Sequence, residues 1–163
     1  MQTPVKNKIP MQSRLQICDL GLAGYREVLQ LQHKLREQIK QGKNTNTVLL
    51  AEHFPVITFG ARENLNMLVV DRAELSNRGI ELVRTRRGGG VTAHNPGQLV
   101  VYPVLKLADY GLGISEYVRQ LEAVGAQLLD ELGLECSREK GYPGLWVGDE
   151  KIASVGVRLS RGV

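Results

Sequence analysis

The 163-residue chain predicts an α+β domain, with a mixed, largely antiparallel sheet and helices packed on it. Three observations point there. Strand-like and helix-like segments follow one another without the strict alternation of a doubly wound fold. Hairpin signals recur, most clearly the Gly148-Asp149-Glu150 turn between two apolar runs. Apolar residues at three-to-four spacing are sustained over two long stretches only, which gives two main helices.

In order along the chain, Leu15 to Leu20 alternates and reads as a first strand. Tyr25 to Gln41 is a helix with Tyr25, Val28, Leu35 and Ile39 on one face and Gly42 at its end. Thr47 to Glu52 is a continuous apolar run, hence a buried strand, and Pro55 bends the chain after His53. Val56 to Phe59 is a short strand closed by Gly60. Arg62 to Arg78 mixes loop and helix, with helical turns over Val69 to Leu75. Ile80 to Thr85 is a strand that runs into a glycine loop, and Gln98 to Leu107 is the longest strand. Pro103 within it marks an edge or a bulge. Ser115 reads as the N-cap of a helix reaching Leu132, with Tyr117, Leu121, Val124, Leu128 and Leu132 facing inward. Gly144 to Val147 and Lys151 to Leu159 then form a hairpin.

Composition narrows the function. Apolar residues make up 42% and charged residues 23%, ordinary for one globular domain. No apolar run approaches the ~20 residues of a membrane-spanning helix. Residues 1–12 read as a loose tail without the apolar core of a signal peptide. Two cysteines, Cys18 and Cys136, argue against a disulfide scaffold and fit a reducing cytoplasm. A net charge of +4 favours acidic partners without pointing to nucleic acid. His53 and His94 have no Cys or carboxylate at ligand spacing, which excludes a zinc site. The glycine triplet fits neither a P-loop nor a dinucleotide fingerprint.

The stretch from Arg86 to Pro103 carries the most chemistry. Arg86 and Arg87 precede Gly88, Gly89 and Gly90, then Val91, Thr92, Ala93 and His94 lead into Asn95-Pro96-Gly97-Gln98. Residues without Cβ let backbone N–H groups approach a ligand, although they also make a plain hairpin corner. Asn95-Pro96-Gly97 is a turn in which Pro fixes φ and Gly takes φ > 0. His94 either caps this loop by hydrogen bonds or faces a ligand. Further on, Lys151 occupies the apolar parity of its strand, so it either snorkels to water or lines a pocket. Ser154, Val155 and Gly156 offer a small-residue surface that suits either tight packing or a ligand.

Arg87-Gly88-Gly89, Thr92, His94, Pro96-Gly97-Gln98 and Tyr102-Pro103 together resemble the signature of the lipoyl(octanoyl) transferases of lipoate biosynthesis. Glu52 to Gly60 upstream, and Pro143 to Val147 with Lys151 to Arg158 downstream, extend the resemblance from about Leu49 to Val163. Ala93 replaces the family's usual aromatic residue and Asn95 its usual Gly.

This resemblance implies the biotin/lipoate protein ligase fold. It implies an octanoyl-[acyl-carrier-protein]:protein N-octanoyltransferase, which passes an octanoyl group from acyl carrier protein through a cysteine thioester to a lysine. That lysine belongs to lipoyl domains of 2-oxoacid dehydrogenase complexes or to glycine cleavage H protein. No metal, ATP or other cofactor is implied, and neither nucleic acid nor membrane is a partner. Lys151 corresponds to the catalytic lysine that helps ionise the cysteine, since a thiol of pKa ~8.5 needs a nearby cation to be thiolate at neutral pH. Arg87 through His94 and Ser154 through Gly156 correspond to the substrate-binding segments, expected to face each other across one apolar pocket into which Lys151 points. The family's cysteine falls downstream of Val163, so this chain alone is expected to be inactive. The alternatives are a truncated or non-catalytic relative that binds an acyl chain or lipoyl domain, and an ATP-dependent lipoate-protein ligase.

Overall fold

The computed structural model describes residues 14–62, 68–160 and 162–163. The expected N-terminal tail and part of the Arg62 to Arg78 loop lie outside these residues. Among the described residues nine strands form three small sheets, with three α-helices, and pairing is antiparallel in four cases and parallel in two. The α+β expectation therefore holds.

In the first sheet, β1 (Leu15–Ala23) pairs parallel with β2 (Asn46–His53), which pairs antiparallel with β6 (Val100–Val104). The burial of β2 follows its sequence, with Leu49 and Ala51 nearly inaccessible. Pro103 sits in β6, an edge strand, where its missing N–H costs no ladder bond. The second sheet is built on β3 (Val56–Phe59), flanked by β4 (Glu81–Arg84) in parallel and β5 (Val91–His94) antiparallel. The third is an antiparallel meander of β7 (Ser137–Glu139), β8 (Tyr142–Val147) and β9 (Glu150–Ser154).

Helix α1 (Tyr25–Lys40) joins the first two sheets. Val28, Leu35 and Ile39 enter one core with Leu49, Ala51, Val104 and Val163, while Tyr25 enters a second with Val56 and Val83. Arg26 ties the same helix to β4 by an ion pair with Glu81. Helix α2 (Arg72–Asn77) starts one turn later than its sequence suggests, because the Asp71 carboxylate caps it by accepting from Ala73 N–H.

Helix α3 (Ile114–Glu131) departs from expectation twice. Its N-cap is Gly113 rather than Ser115, and the Glu116 carboxylate accepts the Gly113 N–H at 2.8 Å. The buried face carries Glu122 and Leu129, whereas Val124, Leu128 and Leu132 are exposed. The cause is a close approach at Gly125, where a Cβ would stand 2.9 Å from Leu145 Cδ1. Seating β8 at this gap turns the helix away from its apolar stripe. Two further differences matter for the site: Val91 to His94 is a strand rather than loop, and the last strand stops at Ser154 instead of Leu159.

These burials set a contrast. Leu49→Ala removes a side chain 1% exposed and should destabilise the fold by about 2–5 kcal/mol. Val124→Ala, at 66% exposure, should change stability by less than about 0.5 kcal/mol in the same denaturant titration.

Candidate functional site

Two of the expected stretches, Arg87 to Gly90 and Ser154 to Gly156, meet directly at a junction of bare backbone and not across an apolar pocket. Arg87 to Gly90 lies along the end of β3. Gly60 N–H donates to Gly90 O at 2.9 Å, Ala61 N–H to Arg87 O at 2.9 Å and Arg62 N–H to Gly89 O at 3.1 Å. A Cβ on Gly60 would collide with the Gly89 carbonyl and stand 2.9 Å from Arg87 Nη1. Gly89 itself has φ +86°, a conformation open to glycine. On the other side, Gly88 N–H donates to Val157 O at 2.8 Å, and a Cβ on Gly156 would stand 2.9 Å from Gly88 O. The glycine loop and the Ser154 to Gly156 segment therefore touch. This contact is why the last strand ends early: Gly156 leaves the β8 ladder to meet Gly88.

The loop's carbonyls are turned into this packing. The N–H groups of Gly89 and Gly90 have no partner among the described residues and are half-exposed. They are the donors a ligand oxygen would meet.

Arg87 holds the loop from behind. Its Nη2 donates to Thr58 O at 3.0 Å and Thr58 Oγ1 at 2.7 Å, and its Nη1 to Gly88 O at 3.1 Å. Burial pushes its pKa down, and the nearby Tyr25 and Tyr102 oppose that shift. Thr92 and Ala93 lie in β5 opposite Thr58 and Ile57, and Val91 opposite Phe59.

His94 ends β5 half-buried. Its ring stacks on Tyr25 with centroids 5.7 Å apart, and Nδ1 meets Gln98 Oε1 at 2.7 Å. An amide oxygen only accepts, so Nδ1 carries the proton and Nε2 presents a lone pair. Burial pushes the His94 pKa down, with His53 and Arg87 adding to the effect against the Gln98 bond. The Pro96-Gly97 turn beside it forms as its sequence dictates, with Gly97 at φ +84° and Gln98 N–H donating to Asn95 O at 3.1 Å. Glu52 anchors that turn by accepting Gly97 N–H at 2.6 Å.

Beneath His94 runs a polar relay that residue patterns alone did not reveal. His53 is fully buried; Nδ1 donates to Ala23 O at 2.9 Å, so Nε2 accepts from Tyr102 Oη–H at 2.7 Å. Tyr25 lies beside this pair, and burial raises the phenol pKa of both tyrosines. The signal for it was the placement of His53 and Tyr102 within matched motif stretches.

Lys151 sits apart from the glycine loop and is exposed, directed back over β8. Its Nζ donates to Pro143 O at 3.0 Å and lies 4.5 Å from the centroid of the Trp146 ring. Val155 N–H donates to that same carbonyl at 3.4 Å, so Lys151 is tied to the residue preceding Gly156. Lys151 also crosses over Gly144, whose absent Cβ would meet its Nζ at 3.1 Å. Gly144 N–H donates to Glu122 Oε1 at 2.9 Å, which explains the buried carboxylate on α3. Ser154, opposite Gly144 in the ladder, is exposed. Among the described residues no cluster of three or more His, Cys, Asp or Glu forms a metal site.

The family model of the lipoyl protein ligase A/B catalytic domain matches residues 24–163. The chain belongs to this family. Curated relatives named octanoyltransferase include those of Desulforamulus reducens, 40% identical over 92% of this chain and 66% of that protein, and Alkaliphilus metalliredigens, 40% identical over 91% and 69%. That of Koribacter versatilis is 40% identical over 91% of this chain and 61% of its own. The chain thus spans about two thirds of the length of the relatives it matches.

Among solved structures, lipoate-protein ligase A bound with ATP superposes with a TM-score of 0.62 at 18% identity, covering 93% of this chain and 63% of that one. Plasmodium falciparum LipL1 in complex with lipoate gives a TM-score of 0.62 at 15% identity, covering 85% and 42%. These likenesses establish the shared fold.

One consequence is measurable. Folded His94 binds a proton less readily than an unfolded imidazole of pKa 6.5. Its contribution to stability is therefore present above about pH 6.5 and lost as pH falls from there through the lowered folded value. An NMR titration of the ring should give a midpoint below 6.5, and a midpoint at or above it would contradict the burial described.

Proposed function

We propose that the chain carries the acyl-handling face of an octanoyltransferase. The enzyme would move an octanoyl group from acyl carrier protein to a lysine of lipoyl domains, in the cytoplasm. The observation that carries this reading is the contact of Gly88 with Gly156 and Val157. It joins the two stretches that this reading assigns to substrate, and the Pro143 carbonyl links Lys151 to the second of them through Val155.

In the first step a cysteine thiolate, from the portion the family resemblance puts downstream of Val163, attacks the octanoyl thioester. The carbon–sulfur bond to the carrier then breaks. The Gly89 and Gly90 N–H groups stabilise the developing oxyanion. The Lys151 ammonium favours the thiolate, and its contacts with Pro143 O and Trp146 hold it in place. In the second step the acceptor lysine amine attacks the enzyme thioester. His94 Nε2, kept neutral by burial, takes the amine proton as the cysteine leaves. No ATP is consumed, because a thioester is already activated. The net charge of +4 suits acidic carrier and acceptor domains such as those of the dehydrogenase complexes and H protein.

A second reading is acyl or lipoyl-domain binding without chemistry, in keeping with the places of Cys18 and Cys136 away from the junction. Cys18 packs against the core from β1, and Cys136 precedes β7; neither is at the junction.

The test is ATP-free transfer from octanoyl carrier protein to an apo lipoyl domain, read by intact mass with the protein as the cell makes it. Transfer is expected, and Lys151→Ala should slow it on the order of 10²-fold and move the pH–rate profile to alkaline values. A requirement for ATP and free octanoate would replace this reading with a ligase. Acyl binding without transfer would favour the second.

A further inference from the structure

On the opposite side of β4 from Arg87, the structure holds a basic cleft that the proposed transfer chemistry does not use. The run from Val83 to Arg86, at and just past the end of β4, creates it. Val83 is buried and Thr85 donates its hydroxyl to Phe59 O at 3.0 Å, so Arg84 and Arg86 point outward. Helix α1 supplies the facing wall, with Leu29, His33 and Arg36 one turn apart along a single stripe. Arg158, immediately after the Gly88–Val157 contact, closes the end. The cavity between them measures about 370 Å³, within the range of small-ligand sites, and no carboxylate lines it among the described residues.

Two of these cations carry no acidic counter-ion among the described residues: Arg36 pairs with its exposed neighbour Glu37 at 3.0 Å, while Arg86 and Arg158 have none. Burial, then Arg36, Arg158 and Arg86 in turn, push the His33 pKa down, with Glu37 opposing. Arg158 is lowered in the same way by burial, Arg36 and Arg86. Cations that disfavour one another's charge gain nothing for the fold by being gathered, and an oxyanion between them would reverse the sign of each interaction.

We propose that this cleft, walled by Arg36, Arg84, Arg86 and Arg158, binds a phosphate group. Planar guanidinium forks match phosphate oxygens two at a time, and the apolar Leu29 suits an organic portion attached to the phosphate. Free phosphate and the phosphate of a pantetheine arm share this chemistry. Only the second source rests on the transfer reading above, so the site stands or falls separately from it.

The experiment follows the His33 ring by NMR during titration with inorganic phosphate, 4′-phosphopantetheine or unphosphorylated pantetheine at constant ionic strength. A saturable rise in the His33 pKa with both phosphorylated probes, absent with pantetheine, is expected. Tighter binding of phosphopantetheine assigns the site to the arm, and equal affinities assign it to the free anion. The double variant Arg86→Gln/Arg158→Gln should weaken binding by about tenfold or more, because hydrogen bonds to charged groups are lost. Arg119→Gln, which removes one positive charge from the exposed side of α3, should leave it unchanged. A non-saturable response, one equal with chloride, or one unaltered by the Arg86/Arg158 substitutions would overturn the proposal.

Discussion

The structure depends on backbone meeting backbone at three places: Gly60 against Gly89 and Gly156 against Gly88, where no Cβ fits, and Gly88 against Val157, where one would stand 3.3 Å from the carbonyl oxygen. Interiors are close-packed, and one methyl group in such a contact has no volume to occupy. The second sheet, the glycine loop and the segment after β9 are thereby joined without side chains. A surface is left where N–H groups rather than bulk face outward. The same contacts that remove the loop's carbonyls from solvent leave the Gly89 and Gly90 donors in place.

Helix α1 supports this junction from within. Tyr25 contacts both histidine rings, at 5.1 Å from His53 and 5.7 Å from His94 between centroids. The relay from Ala23 O through the buried His53 to Tyr102 has its hydrogen bonds made, which rigidifies where a half-satisfied network would cost stability. Arg87 enters this interior while Arg86, one residue earlier, leaves it. Two consecutive residues just past the end of β4 thus divide into a structural cation, engaged by Thr58 and Gly88, and a solvent-side one that faces α1.

Much of this was legible in residue order. The α1 stripe, the apolar run of β2, the edge position of Pro103 and the Pro96-Gly97 turn each follow from local chemistry, and the structure repeats them. The departures share one cause. A contact distant in sequence outweighed a local pattern at Gly125, where Leu145 rotates α3 and exposes Val124 and Leu128. It did so again at Gly156, where Gly88 draws the chain off the ladder before Leu159. Val91 to His94 was hidden because the glycines before it read as loop, although β3 needed a second partner. The site was legible as two motif stretches. Their contact, the relay beneath His94 and the role of Glu122 required the fold.

The most direct measurement is amide hydrogen exchange at Gly88. Its N–H donates to Val157 O at 2.8 Å, so it should be protected in the intact protein. In Gly156→Ala, a methyl placed 2.9 Å from Gly88 O must push the two segments apart. Exchange at Gly88 should then accelerate by about tenfold or more while the β3–β5 amides keep their protection. A Gly88 amide that exchanges freely in the parent protein, or one indifferent to the added methyl, would contradict the account.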